Sequence, residues 1–188
     1  MPKYLIALGS NLEKKNQTRS EIIKEAVGYL TLFNIILIKI SSLWESNSFA
    51  DKGQPKFVNA VIEVYSELTP SQILYSLKNI EKKFGRKVGQ RWGNRVLDLD
   101  ILGKGSTILP NLKVFNNWMR MPFELQISKQ PMELILPHPR IQDRLFVLQP
   151  LKEVNPNWVH PVLNQTAKDL ILSKEWSKED VLKKIENK

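Results

Sequence analysis

Asp98 and Asp100 flank a single leucine in the run Val96–Leu102, where the acids alternate with Leu97, Leu99 and Ile101. Successive side chains of a strand leave opposite faces, so the two aspartates share one face with Cα atoms roughly 6.5 Å apart. Carboxylates so placed can bracket hard cations. Magnesium suits them, because it takes one or two protein carboxylates and completes its shell with water and substrate phosphate. The same alternation also describes the wet face of an ordinary amphipathic strand, so the neighbours matter. Arg86, Arg91 and Arg95 lie just upstream, and guanidinium forks are the usual partners of phosphate oxygens. A structural salt-bridge network would use the same groups, but it gives no role to Trp92 or to the surplus of cations over acids. The cluster favours a nucleotide with a metal.

Two further groups carry chemistry. Glu81 stands beside Ile80 at the border of an apolar helical stripe, where it either reaches a site or is solvated. Pro137-His138-Pro139-Arg140, followed by Arg144 and Phe146, sets an imidazole and two arginines beside an aromatic; a Pro-flanked turn is also a sufficient structural reason for His138. Gly103-Lys104-Gly105-Ser106 fails the spacing of a phosphate-binding loop and reads as a turn.

The elements that must position these residues follow from periodicity. Tyr4–Leu8 is an apolar run closed by Gly9-Ser10-Asn11, a strand ending in a turn. Thr18 and Glu21 form a capping box before Ile22, Ile23, Ala26, Val27 and Leu30 at helical spacing. Ile35–Ile40 is a strand candidate, and Phe57–Tyr65 alternates with Val58, Ala60, Ile62 and Val64 on one face. Thr69, Pro70 and Gln72 open a second helix that buries Ile73, Leu77, Ile80 and Phe84 and ends before Gly85. No period is evident from Gly103 to Glu133, which is expected to be an insertion whose Phe115, Trp118 and Phe123 pack on the domain or on a second subunit. A helical tail is expected over 166–188: Thr166–Leu172, then a stretch capped by Ser177 that buries Val181, Leu182 and Ile185. This order predicts an α+β fold, a sheet with helices packed on it.

The 188 residues, 42% hydrophobic, suffice for one core and a single domain. Neither an apolar run of about 18 residues nor a signal pattern is evident, so a cytoplasmic protein with no membrane partner is expected. With no cysteine and only His138 and His160 for imidazole, any metal must be held mainly by oxygen. The net charge of +9 points to a polyanion, either a nucleic acid or a nucleotide triphosphate with magnesium.

ALGSNL at Ala7–Leu12, FVNAV at Phe57–Val61, EKKFGR at Glu81–Arg86, RWGNRVLDLDIL at Arg91–Leu102 and LPHPRIQDRLFVLQPL at Leu136–Leu151 together resemble the 6-hydroxymethyl-7,8-dihydropterin pyrophosphokinase family, which acts before dihydropteroate synthase in folate synthesis. The resemblance spans nearly all of the first 160 residues. It implies a ferredoxin-like antiparallel sheet, ATP as diphosphate donor, AMP as coproduct and two magnesium ions between Asp98, Asp100 and the phosphates. It further implies a pterin slot with Phe57 and Phe146 as stacking faces, Asn59 as the hydrogen-bonding amide and backbone near Ser46 and Phe49. Phe57 and Asn59 are two apart on a strand, in keeping with that placement. By the same resemblance Arg86 and Arg95 are the catalytic cations, and Glu81, Arg91, Trp92, Arg95, Ile101, His138 and Arg144 contact ATP. The chain departs from the family at Lys78, where a glutamine is frequent, at Glu133, where a basic ATP contact is expected, in a shorter Arg86–Arg91 segment that lacks one arginine, and in a longer 103–133 segment.

The partners expected are thus small molecules, acting on a monomer or weak homodimer. An RNA-binding module would need exposed aromatics in a pattern absent from this sequence, and it would aim the aspartates at a polyanion, so no nucleic-acid partner is expected. Another magnesium-dependent kinase or nucleotidyl transferase is the second alternative.

Overall fold

The alternating segments pair into one antiparallel sheet in a computed structural model that describes residues 2–48, 53–86 and 93–186. β1 (Lys3–Ser10) is central, between β4 (Phe57–Tyr65) and β5 (Asp98–Lys104). The other edge of β4 is shared by β2 (Ile36–Ile40), which pairs with its second half, and β3 (Trp44–Ser46), which pairs with its first. Between them Ser41 bridges the break, its N–H donating to Val61 O and its Oγ accepting from Val61 N, both at 3.0 Å. With α1 (Arg19–Tyr29) after β1 and α2 (Pro70–Lys83) after β4, this is the ferredoxin-like α+β fold, its second strand split into β2 and β3.

Both helices begin where their sequences say they should. Thr18 with Glu21 and Thr69 with Gln72 each form a complete capping box, satisfying backbone donors that a helix start leaves open. Gly85 ends α2 at φ +90°, a conformation costly to any residue with a Cβ. Ile22, Ile23 and Ala26 of α1 and Ile73, Leu77 and Ile80 of α2 bury against one face of the sheet: Tyr4, Ile6, Leu8, Val58, Ala60, Ile62, Leu97, Leu99 and Ile101.

The opposite face carries Leu5, Val61 and Leu102, covered by α5 (Leu145–Val154), on which α6 (Ala167–Leu172) packs. The same face continues beyond α5 as Gly9, Asn59, Asp98 and Asp100, and there it is open. No helix among the described residues is long and apolar enough to cross a membrane.

One expectation needs correction and another is filled in. The 103–133 segment, where the sequence shows no period, completes β5, turns at Gly105 (φ +50°), and forms α3 (Leu112–Met119) and α4 (Phe123–Ser128). The Asn111 side chain caps α3 by accepting from Val114 N at 3.0 Å. Phe115 is fully buried and Trp118 half-buried, whereas the Phe123 side chain lies outside the described residues. The tail is helical only as far as Leu172. Ser177 does hold a turn, donating to the Asp180 carboxylate through its N–H at 3.0 Å and its Oγ at 2.8 Å, but no helix grows from it. One turn is a poor nucleus without a buried stripe to reward it, and Val181 stays 65% exposed. The open edge of β3 offers backbone partners instead, and Lys183–Lys184 pairs there as β6.

Candidate active site

Register builds the site. Gly9 on β1 lies opposite Asp98 on β5 and opposite Asn59 on β4, and Asn59 lies opposite Trp44 on β3. A carboxylate and an amide therefore stand on either side of a residue with no side chain. A Cβ at Gly9 would touch Phe57 Cδ1 at 3.5 Å, Asn59 Oδ1 at 3.8 Å and Asp98 Cβ at 3.9 Å, so the glycine leaves that floor open. Over it lies a cleft lined by Ser46, Phe57 and Asn59 at one end and by Arg86, Arg95, Asp98, Asp100, His138 and Arg144 at the other, with Phe146 also on its wall.

The aspartate end is an ion cluster in which three arginines face two carboxylates. Asp98 Oδ1 accepts from Arg86 Nη1 at 2.6 Å and pairs with Arg95 Nη1 at 2.8 Å; Asp100 Oδ2 is 3.9 Å from Arg144 Nη1. Burial alone would raise the Asp100 carboxyl, but the cations facing it (His138 when protonated, Lys78, Arg144 and Arg86) hold it well below the usual carboxylate range. Both aspartates are half-buried. Among the described residues no group of three or more His, Asp or Glu side chains gathers as a cage for a metal. Two carboxylates on one wall of an open cleft instead fit magnesium, which would take its other ligands from phosphate and water.

Arg95 is placed by the turn after β1. Asn11 Oδ1 accepts from Arg95 N at 2.7 Å, the Asn11 and Leu12 N–H groups donate to Arg95 O, and Asn11 Nδ2 donates to Asn94 Oδ1 at 2.9 Å. Arg86 is placed from below by Glu81, which is 1% exposed and does not line the cleft. Glu81 Oε1 accepts from Leu99 N at 2.7 Å, from Lys78 Nζ at 3.0 Å and from Arg86 Nη1, tying α2 to β5. Burial pushes its carboxyl up, against the pull of Lys78 and Arg86. His138 is fixed by its N–H to Leu102 O at 2.8 Å. Burial and the Arg144 charge push its imidazole down to about 4, so the ring is neutral at pH 7. Its Nδ1 accepts from Arg140 N at 3.1 Å, and its Nε2 lies 3.5 Å from Arg144 Nη1.

At the other end Asn59 Nδ2 donates to Trp44 O at 3.2 Å and to Ser46 Oγ at 3.0 Å. Both amide hydrogens are spent on β3, so the atom offered to the cleft is the carbonyl, an acceptor. Phe57 shares the face of Asn59, and Phe146 approaches from the start of α5 with the Arg144 guanidinium 5.9 Å from its ring centre.

Most of the predicted site residues thus converge on one cleft. Ile101 does not: it is buried in the core on the reverse of the aspartate face, as the alternation of β5 requires. Phe49, Arg91 and Trp92 lie outside the described residues. Arg140 pairs with Asp143 at 3.1 Å and does not line the cleft. No individual role follows from the sequence for Gly9 or for the Asn11 clamp; the Gly9-Ser10-Asn11 turn and the ALGSNL motif mark their place without one.

The sequence model of the 7,8-dihydro-6-hydroxymethylpterin-pyrophosphokinase (HPPK) family matches residues 5–156. A 2-amino-4-hydroxy-6-hydroxymethyldihydropteridine pyrophosphokinase of Aquifex aeolicus is 31% identical over 170 residues, 90% of each chain. The Haemophilus influenzae protein of the same name is 35% identical over 156 residues, 83% of each. The folic acid synthesis protein fol1 of Pneumocystis carinii is 37% identical over 84% of this chain, which spans 18% of that longer protein. A Plasmodium falciparum HPPK-DHPS crystal structure shares the fold, with TM-score 0.63 at 17% identity over 92% of this chain and 43% of the other. A family match across most of the chain, with relatives above 30% identity along nearly their whole length, means that this chain belongs to the HPPK family of pyrophosphokinases.

Proposed function

We propose that this chain transfers the terminal diphosphate of ATP to the hydroxymethyl oxygen of 6-hydroxymethyl-7,8-dihydropterin in the path to folate. One observation carries the reading: the register Asp98–Gly9–Asn59 sets an acidic, arginine-rich end and an amide-and-aromatic end in a single cleft. A triphosphate with magnesium suits the first, and a flat heterocycle with a polar edge suits the second.

In the reaction the hydroxymethyl oxygen bonds to the β-phosphorus in line as the bond to the α,β-bridging oxygen breaks; AMP leaves with that oxygen, and the hydroxyl proton is lost. The barrier falls mainly through positioning and charge neutralisation. Asp98 and Asp100 would hold two magnesium ions, which supply positive charge against the triphosphate oxygens. Arg86 and Arg95, now on Asp98, are the cations nearest to turn towards phosphate, and Arg144 flanks Asp100. The neutral His138 lines the cleft without adding a positive charge beside Asp100 and Arg144. Phe57 and Phe146 would sandwich the pterin while the Asn59 carbonyl reads its edge.

Incubation of the chain with ATP, magnesium and the dihydropterin is the test. AMP and a pterin diphosphate are expected; ADP would indicate an ordinary kinase, and no nucleotide turnover would refute the assignment.

A further inference from the structure

The pterin end of the cleft is walled by a strand too short to stand alone, and a segment beyond the family match supports it. β3 has three residues, yet its Trp44 O and Ser46 Oγ fix the Asn59 amide. A strand of that length paired on one side only is weakly held. On its outer side β6 pairs with Trp44 and Glu45, and the Ile185 N–H donates to Leu43 O at 2.9 Å while the Ile185 side chain packs against the main core. Further along, Asn47 Nδ2 donates to Glu179 O at 3.0 Å. Ser177, Glu179, Asp180 and Leu182 form one side of a small recess whose other side is Ser46–Ser48 with Phe146, residues that also line the cleft. Tail and pterin slot therefore share a wall.

We propose that residues 177–186 are a positioning element for the pterin: by holding β3 and Asn47 they preset the Asn59 carbonyl before the substrate arrives. The inference rests on the slot assignment above. Without the tail, β3 would have to be ordered at the moment of binding, and that cost would fall on the pterin alone, because the ATP end is anchored through β1, α2 and β5.

The test compares the full chain with a truncation after Trp176, with Ile185→Pro, which deletes the N–H given to Leu43, and with Ile185→Val, which keeps it. AMP formation is measured against each substrate, dihydropterin is titrated calorimetrically with magnesium and the α,β-methylene analogue of ATP present, and thermal midpoints are recorded. Truncation and Ile185→Pro are expected to raise the pterin KM and Kd about tenfold with the ATP KM near its original value, and Ile185→Val to behave like the full chain. Unchanged pterin binding, or an equal rise for both substrates, overturns the proposal. So does Ile185→Pro unfolding the domain, since the tail would then be a requirement of the fold. If the unmodified chain binds the pterin but makes no AMP, the proposed activity fails while the titration still judges the tail. Failure to bind the pterin at all removes the slot and the tail proposal together.

Discussion

Asp98 accepts from two guanidinium groups, whereas Asp100 pairs with Arg144 at the longer distance of 3.9 Å, and alanine variants should separate what the two share from what they do not. Either change should lower AMP formation on the order of 10² to 10⁴-fold, the usual scale for losing charge stabilisation of a transition state. Asp100→Ala should leave the thermal midpoint within a few degrees. Asp98→Ala should also cost about 1–2 kcal/mol, because it removes the carboxylate that the half-buried Arg86 and Arg95 share, leaving Arg86 on Glu81 alone. Two folded variants with near-normal turnover would remove the carboxylates from the mechanism. Phe146→Ala should weaken pterin binding far more than ATP binding; unchanged pterin affinity by titration would show that the ring is not a stacking face. Such residues were legible because a strand has period two: Asp98 with Asp100 and Phe57 with Asn59 announce shared faces by spacing alone. Gly9 and Asn11 were not, since a glycine floor and an asparagine clamp act through what lies opposite them, and pairing register is not written in either strand separately.

His160 ties three elements together. Its Nδ1 accepts from Val162 N at 3.2 Å and Leu163 N at 3.1 Å in the turn between α5 and α6, and its ring packs 5.6 Å from Trp158 and 5.8 Å from Phe115 of α3. Burial pushes the imidazole down from 6.5 to about 4, and His160 is fully buried. The folded state therefore prefers the neutral ring: this contribution is complete above about pH 6.5 and is lost progressively as pH falls towards about 4. The shift corresponds to on the order of 3 kcal/mol. His160→Gln should thus flatten the fall of the thermal midpoint between pH 7 and pH 4.5; an unchanged slope would show that the ring is not the sensor. The capped helices α1 and α2 were plain in the sequence because cap, stripe and stop agreed. The tail misled because Ser177, Val181 and Ile185 satisfy helical spacing locally, while β3, the partner that draws Lys183–Lys184 into a strand, lies far away along the chain.

The whole molecule carries a charge of +9, and the arginines of the cleft concentrate part of that field where a triphosphate would enter. Such steering is screened by salt. The KM for ATP should rise several-fold between about 50 and 500 mM salt, a range over which the Debye length shrinks roughly threefold, while the KM for the uncharged pterin should hardly move. Equal sensitivity of the two would point to a general effect of salt on the protein. Charge also sets the two ends of the sheet apart. At the end remote from Gly9, Glu63 is closed in by Asn155 Nδ2 at 2.9 Å and Lys3 Nζ at 3.4 Å, and the length of β1 keeps that end about 20 Å from the glycine floor. Because the chain has no cysteine, a thiol introduced at Lys3 would be unique in the molecule. A fluorophore or surface tether attached there would grip the protein by its chemically silent pole and leave the opposite pole free to turn over under observation.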